Sequence, residues 1–141
     1  MSLGSAEVLA LTGMMGSGKS ATAQALAQLT GRQVFSVDAE ISRRAGKPIA
    51  AIFAEDGEPA FRALERQVLA AIPAGAIADL GGGAFCQPAN AERLLAAGRV
   101  VFLEVSAAEA ARLPFYRRAH LTVATDGLSP QAVARRILEA L

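Results

Sequence analysis

Hydrophobic residues follow two different spacings along the 141-residue chain. Short, nearly continuous apolar runs predict buried strands, and longer segments with apolar residues three and four positions apart predict amphipathic helices. The predicted strands are 7–12, 33–37, 75–80, 100–105 and 121–125. The predicted helices are 20–30, 38–44, a short one that begins at 47, 57–71, 88–97 and 130–140. Gly31 is the expected stop of the first helix, and Ser129 is the expected cap of the last, with Pro130 at its first position.

The predicted strands lack the apolar–polar alternation of a sheet with one solvated face, and helices separate them. This pattern indicates a parallel sheet that helices cover on both faces. We therefore expect an α/β fold, a three-layer α/β/α architecture with a five-stranded parallel sheet. The length favours a single domain over 1–141, because domains commonly run about 100–200 residues.

Composition narrows the class of protein. Hydrophobic residues make up 52% and charged residues 19%, which excludes intrinsic disorder. A formal charge of +1 attracts neither nucleic acid nor anionic lipid, and no apolar run approaches the ~20 residues of a membrane span. The lone Cys86 excludes an intramolecular disulfide and a metal site of several thiolates, and the lone His120 excludes metal sites of paired imidazoles. We expect a cytoplasmic monomer whose partner is neither nucleic acid nor membrane.

The turn after the first predicted strand carries the full phosphate-binding motif G-x-x-x-x-G-K-[ST]. Its backbone N–H groups and the following helix N-terminus converge on phosphate oxygens. Lys19 is placed to reach the β- and γ-phosphates, and the Ser20 hydroxyl to ligate Mg²⁺. The alternative is a glycine-rich turn that only connects strand to helix. The predicted nucleotide site is Gly13, Met14, Met15, Gly16, Ser17, Gly18, Lys19 and Ser20.

The motif predicts binding of a nucleoside triphosphate, with ATP favoured. A GTPase would carry an N-K-x-D signature, but the other lysine, Lys47, precedes a proline. Large ATPases need a longer chain. A small protein with this loop is therefore expected to be a kinase of small molecules, with the P-loop kinase fold.

Further short motifs resemble the shikimate kinase family, and the resemblance runs almost end to end. The pair formed by F-R-x-x-E and G-G-G behind such a loop is more specific than either motif alone. The resemblance implies ATP- and Mg²⁺-dependent phosphorylation of the 3-hydroxyl of shikimate. The matching residues are Asp38, Glu40-Ile41, Ile52-Phe53, Gly57-Glu58, Phe61-Arg62, Glu65, Gly81-Gly82-Gly83 and 125–130.

The same resemblance implies roles for individual residues. Arg62 and Arg112, the latter in an R-x-P-hydrophobic-Y segment, would clamp the substrate carboxylate. Asp38 would bind the ring hydroxyls and accept the proton of the attacking one. Gly81, Gly82 and Gly83 would let the substrate approach bare backbone.

Plainer roles remain open for each of these residues. Arg62 could be a helix-surface arginine paired with Glu58 or Glu65, and Arg112 a surface arginine. Asp38 could cap the helix that it begins. The three glycines could simply end a strand.

The chain departs from the family pattern at the end of the second strand. The family usually has D-x-D there, and its first aspartate holds Mg²⁺ through water. Here Ser36 stands in that position, which removes one carboxylate. Asp79, at the end of the third predicted strand, is our candidate to replace part of that charge through water.

A second departure lies between the fourth and fifth predicted strands. About fourteen residues connect them, whereas the family has a mobile lid of several dozen residues with an arginine that reaches the ATP phosphates. Near 106–114 the lid is either truly deleted or a disordered segment missing from this sequence. An intact mass well above 14.5 kDa would identify the second case.

Two alternative functions stay open. One is another small-molecule kinase, such as a gluconate kinase, which would share the phosphate loop. The other is a catalytically impaired binding or regulatory domain related to shikimate kinase, for which Ser36 and the short connection would argue.

Overall fold

A computed structural model describes residues 3–13, 18–81, 83–104 and 113–141 of the chain. The strands are β1 (Val8–Thr12), β2 (Val34–Ser36), β3 (Ile77–Asp79), β4 (Gly98–Glu104) and β5 (Leu121–Ala124). The helices are α1 (Lys19–Thr30), α2 (Val37–Ala45), α3 (Ile49–Glu55), α4 (Glu58–Ala70), α5 (Pro88–Ala97), α6 (Leu113–Tyr116) and α7 (Pro130–Ala140). A 3₁₀ turn covers Ala84–Cys86.

The five strands form one parallel sheet in the order β2-β3-β1-β4-β5. The predicted α/β class and five-stranded parallel sheet are confirmed. Because all strands run in the same direction, their carboxyl ends meet at one edge of the sheet. In the register of the central strands, Asp79 lies beside Leu11 on one side and Ser36 on the other.

Alternate residues of the central strands supply two separate hydrophobic layers. In β1, Leu9 and Leu11 pack toward α1 and α7, whereas Val8 and Ala10 face the layer formed with α2 to α5. This is the arrangement expected of strands that are buried on both faces. The sheet is thus enclosed between helices, which leaves its carboxyl edge as the place where functional side chains can gather.

Helix termini follow the expected local chemistry with one correction. Ser129 caps α7 through its side chain, and Gly31 ends α1 in the left-handed conformation, both as predicted. Asp38 does not cap α2: the helix begins at Val37, and the Ser36 side chain accepts the hydrogen bond from Ala39 N–H. Asp38 is therefore inside the first turn, where its negative charge also suits the helix dipole.

The connection from β4 to β5 contains the short helix α6. Tyr116 of this helix is fully buried and stacks on Phe102 of β4 with ring centroids 4.8 Å apart. The predicted clamp residue Arg112, and 105–112 as a whole, lie outside the described residues. Among the helices that the structure describes, none is long and apolar enough to cross a membrane.

Candidate active site

The phosphate-loop lysine lies at the carboxyl end of β1. Lys19 begins α1, and its Nζ donates a hydrogen bond of 2.7 Å to the carbonyl oxygen of Gly13. Gly18 precedes the helix with φ 78°, a left-handed conformation that favours glycine. The lysine side chain thus reaches back to Gly13, the first glycine of the motif. The predicted contacts of Met14, Met15, Gly16 and Ser17 lie outside the described residues.

A hydroxyl and a carboxylate meet next to this lysine. The Ser20 Oγ donates to Asp79 Oδ2 at 2.6 Å, and so joins α1 to the end of β3. Ser36 lies beside Asp79 in the sheet, but its side chain already caps α2. The carboxylate that accompanies Ser20 therefore comes from β3.

These two groups suit a hard cation. Mg²⁺ takes oxygen ligands, keeps several waters and is commonly bound by one or two protein groups together with substrate phosphates. Ser20 and Asp79 supply one hydroxyl and one carboxylate beside the phosphate loop. Over the described ranges, no group of three or more His, Cys, Asp and Glu residues forms a metal site by itself. The donor set thus fits a metal that nucleotide phosphates complete.

Asp38 of α2 reaches the same edge of the sheet. Gly81 approaches it so closely that a Cβ there would overlap the Asp38 carboxylate oxygen Oδ1. Burial raises the pKa of Asp38 above its ordinary value of 3.8, and nearby Asp79 raises it further. Lys19 and Arg62 act in the opposite direction. The charges that influence Asp38 therefore come from both the phosphate loop and α4.

The guanidinium group of Arg62, on α4, contacts Glu65 through one nitrogen and lies beside Gly83 with another. Its Nη1 donates to both carboxylate oxygens of Glu65, at 3.0 and 3.2 Å. A Cβ on Gly83 would lie 2.8 Å from Nη2. The Nε atom is buried and has no hydrogen-bond partner among the described residues, and Glu58 Oε1 lies 3.7 Å away. The Nε and Nη2 donors form the parallel fork that binds a carboxylate.

Glu65 and Asn90 complete this polar group, and neither was assigned to the site from the sequence alone. Glu65 is 1% exposed, and Asn90 of α5, at 3%, donates from Nδ2 to Glu65 Oε1 at 3.2 Å. Burial raises the pKa of Glu65, and its contacts with Arg62 and Asn90 oppose that rise. Glu65 carried a signal as the last residue of F-R-x-x-E. Asn90 carried only the weaker signal of a polar residue in an alanine- and leucine-rich helix.

The predicted site residues described by the structure gather at the carboxyl edge of the sheet. Gly82 and Arg112 cannot be placed, because they lie outside the described residues. The predicted pairing of Arg62 with Glu58 or Glu65 exists, since both carboxylates lie within salt-bridge distance. It does not make Arg62 a plain surface residue, because the side chain is only 18% exposed and one donor is buried without a partner.

Comparison with known proteins identifies the family. The family model described as shikimate kinase matches residues 15–113. A shikimate kinase of Thermobifida fusca is 39% identical, with 93% of this chain and 92% of that protein aligned. One of Mycobacterium tuberculosis is 37% identical over 93% and 91% of the two chains. The chain belongs to the shikimate kinase family.

Solved structures agree with this assignment. A shikimate kinase from Acinetobacter baumannii in complex with shikimate superposes with a TM-score of 0.89 at 30% identity, over 95% of this chain and 92% of that one. One from Aquifex aeolicus gives 0.84 at 25% identity, over 94% of each chain. The family, the fold and the kinase activity predicted from the sequence are confirmed.

The alignment with the Thermobifida fusca protein also shows that this chain is the shorter of the two within the aligned region. It spans 160 positions with the Thermobifida fusca protein but includes 93% of 141 residues, or about 131 residues of this kinase. About 29 positions of that relative therefore face internal gaps in this chain. A shortened lid requires internal gaps of this kind. The family-model match ends at residue 113, where α6 begins.

Proposed function

We propose that this kinase transfers the γ-phosphoryl group of ATP to the 3-hydroxyl of shikimate, with the residues at the carboxyl edge of the sheet in the roles given below. One observation carries the assignment of roles. Asp38 lies against Gly81 within the electrostatic influence of both Lys19 and Arg62. Asp38 thus lies within electrostatic reach of a lysine of the phosphate-binding motif and of the arginine that we assign to the substrate carboxylate.

Asp38 is the group that handles the proton. The substrate hydroxyl oxygen attacks the γ-phosphorus, the bond to the β,γ-bridging oxygen breaks, and ADP leaves. The hydroxyl proton passes to an Asp38 oxygen, which accepts it more readily because burial and Asp79 raise the pKa of Asp38. Lys19 offsets the negative charge on the phosphoryl oxygens as the bond breaks.

Arg62 holds the far side of the substrate ring. Glu65 occupies Nη1, so the Nε and Nη2 edge beside Gly83 is the part of the guanidinium group that a substrate carboxylate can engage. Two parallel hydrogen bonds to one carboxylate fix orientation as well as distance. Arg112 is proposed as the second clamp, as the resemblance implies.

Ser20 and Asp79 would hold Mg²⁺, with Asp79 acting through water and Ser36 contributing at most through its hydroxyl. A bound Mg²⁺ would neutralise charge on the β- and γ-phosphates. Asp79→Asn keeps the shape of the side chain and removes its charge. We expect the affinity for Mg²⁺ in the presence of ADP, measured by calorimetry, to fall in this variant together with the Mg²⁺ dependence of turnover. If both measurements stayed unaltered, Asp79 would have no part in metal binding.

An assay of ADP release tests the substrate directly. We expect turnover with shikimate and none with gluconate. Turnover with gluconate alone would support the alternative of another small-molecule kinase. Turnover with neither, while ATP still binds, would support the catalytically impaired domain. We further propose a monomer that acts in the cytoplasm, and sedimentation analysis at working concentration tests the first of these statements.

A further inference from the structure

Helix α5 contributes one buried polar side chain to the acceptor-substrate region. Asn90 is 3% exposed, and its neighbours on the same helix, Ala91 and Leu94, belong to the hydrophobic core. Its amide Nδ2 donates to Glu65 Oε1 of α4 at 3.2 Å. A buried amide is costly unless it is hydrogen-bonded, so this placement in an apolar helix face needs a reason.

The reason lies in what Glu65 must do. Its oxygen Oε1 receives hydrogen bonds from both Arg62 Nη1 and Asn90 Nδ2, while Oε2 receives one from Arg62. Arg62 alone could follow any rotation of the carboxylate, because both groups sit on the same helix one turn apart. Asn90 lies on a different helix, so its hydrogen bond fixes the orientation of the Glu65 carboxylate.

We propose that Asn90 is a positioning residue for substrate binding: it holds the Glu65 carboxylate in the orientation that aims the Nε and Nη2 edge of Arg62 at the substrate carboxylate. This inference rests on the proposed function, because it assumes that Arg62 binds that carboxylate. Asn90 itself is not proposed to touch the substrate.

The charge state of Glu65 offers a readout that packing alone would not change. Burial and Asp38 raise the pKa of Glu65, whereas Arg62 and Asn90 lower it. Glu58 contributes a further negative charge on the outer side of Arg62. When Glu65 is protonated, it loses the charge that anchors Arg62, so the KM for shikimate rises as the pH falls. Without Asn90 this rise begins at a higher pH.

Asn90→Leu tests the proposal, with Leu94→Ala as the matched control. Leu94 lies on the same helix at 3% exposure, and its truncation should reduce stability without changing the polar group. For Asn90→Leu we expect the KM for shikimate to rise about ten-fold, with kcat and the KM for ATP within about two-fold of the parent. The acidic rise in the KM for shikimate moves to higher pH in Asn90→Leu only.

A double-mutant cycle with Glu65→Gln shows whether Asn90 acts through Glu65. We expect Asn90→Leu to change the KM for shikimate by less than about two-fold in the Glu65→Gln background. Full additivity, or equal effects on the KM values of shikimate and ATP, would overturn the proposal.

Asn90→Asp, which keeps the side-chain shape, covers the case in which Asn90→Leu does not fold. It replaces the donor with a second acid beside Glu65, and the KM for shikimate should rise in the same way. An unaltered KM and pH profile in folded Asn90→Asp would also reject the idea. Turnover of shikimate by the parent enzyme tests the proposed function separately, so the two failures are distinguishable.

Discussion

The proposed phosphate end of this site, at Lys19 and Ser20, and the proposed acceptor end, at Arg62, are built differently. At the phosphate end, Lys19 bonds to the backbone of its own loop, and its neighbour Ser20 makes one contact with β3. At the acceptor end there is a largely buried polar group, formed by Arg62 and Glu65 of α4 with Asn90 of α5. Gly83 lies against the Arg62 guanidinium group. At the first end the lysine bonds within its own motif, whereas at the second end three polar side chains of α4 and α5 bond to one another.

The difference has a functional consequence. A nucleotide brings its own negative charge, so the proposed phosphate end needs chiefly the positive charge of Lys19 and of the α1 N-terminus. The acceptor end must instead keep a guanidinium group and a carboxylate away from water and in one orientation, which requires hydrogen bonds from several directions. We expect damage at the phosphate end to lower kcat, and damage at the acceptor end to raise the KM for shikimate.

The largest expected effect is at the phosphate end. Lys19→Met should lower kcat by about 10²–10³, because the side chain keeps its length but loses the charge that stabilises the transferring phosphoryl group. Lys47→Met is the matched control, since Lys47 pairs with Glu55 and Asp56 at the end of α3 and should leave kcat unchanged. Steady-state kinetics of both variants measures this difference in kcat. A Lys19→Met enzyme with the parental kcat would contradict the proposed role of Lys19.

The next effect isolates the acceptor end. Arg62→Lys retains the positive charge but loses the parallel fork, so the KM for shikimate should rise at least about ten-fold while the KM for ATP changes little. Arg66→Lys, one turn along α4 and exposed, is the control. Kinetics with each substrate varied in turn gives the answer. A comparable rise in both KM values would mean that the two ends are not separable.

The third effect links the two ends through Asp38. Because the pKa of Asp38 is raised, the carboxylate stays protonated to a higher pH than usual, and kcat should fall on the acidic side above pH 3.8. Asp79 contributes to that rise, so Asp79→Asn should move the acidic limb of the kcat profile to lower pH. Asp56→Asn, an exposed control at the C-terminal end of α3, should leave the limb in place. A limb that is the same in all three proteins would contradict the influence of Asp79 on Asp38.

The smallest effect lies away from both ends. The Val100 N–H donates to His120 Nδ1 at 2.8 Å, and desolvation, with Arg99, lowers the pKa of His120 below 6.5. The unfolded chain therefore binds this proton first, so this contribution to stability is lost as the pH falls below 6.5. Urea unfolding of the parent and His120→Gln should show a stability difference that changes with pH in this window. A difference in unfolding free energy that stays constant with pH would contradict the prediction. The kcat values of the two folded enzymes should be alike.

Much of the framework was predictable because its signals are local. The boundaries of α5 and α7 coincide with prediction, since proline at the first helical position marks both starts. The predicted strand 75–80 is longer than the observed β3, because the apolar run continues past the residues that pair with β1 and β2. The cap of α2 was predicted two residues too late, at Asp38 instead of Ser36. Ser36 and Asp38 are both good caps, and sequence alone does not decide which one has the required backbone conformation.

The short helix α6 and the burial of Tyr116 were not predicted. A four-residue helix has too few residues for a periodic pattern, and the stack on Phe102 joins residues of two separate elements. The same reason explains why Asn90 was missed. Its partner Glu65 lies 25 residues away, and no spacing along the chain indicates that pair.

The amino-acid sequence by itself determined the parallel α/β class and the phosphate-loop motif, and it predicted Lys19, Asp38 and Arg62 as site residues. These features depend on backbone periodicity and on short motifs whose chemistry works within one turn of chain. The tertiary structure decided which Arg62 nitrogen bonds to Glu65, that Asp79 accepts the hydrogen bond of Ser20, and that Asn90 donates to Glu65. Such choices depend on desolvation and direction, which arise only when distant segments pack against one another.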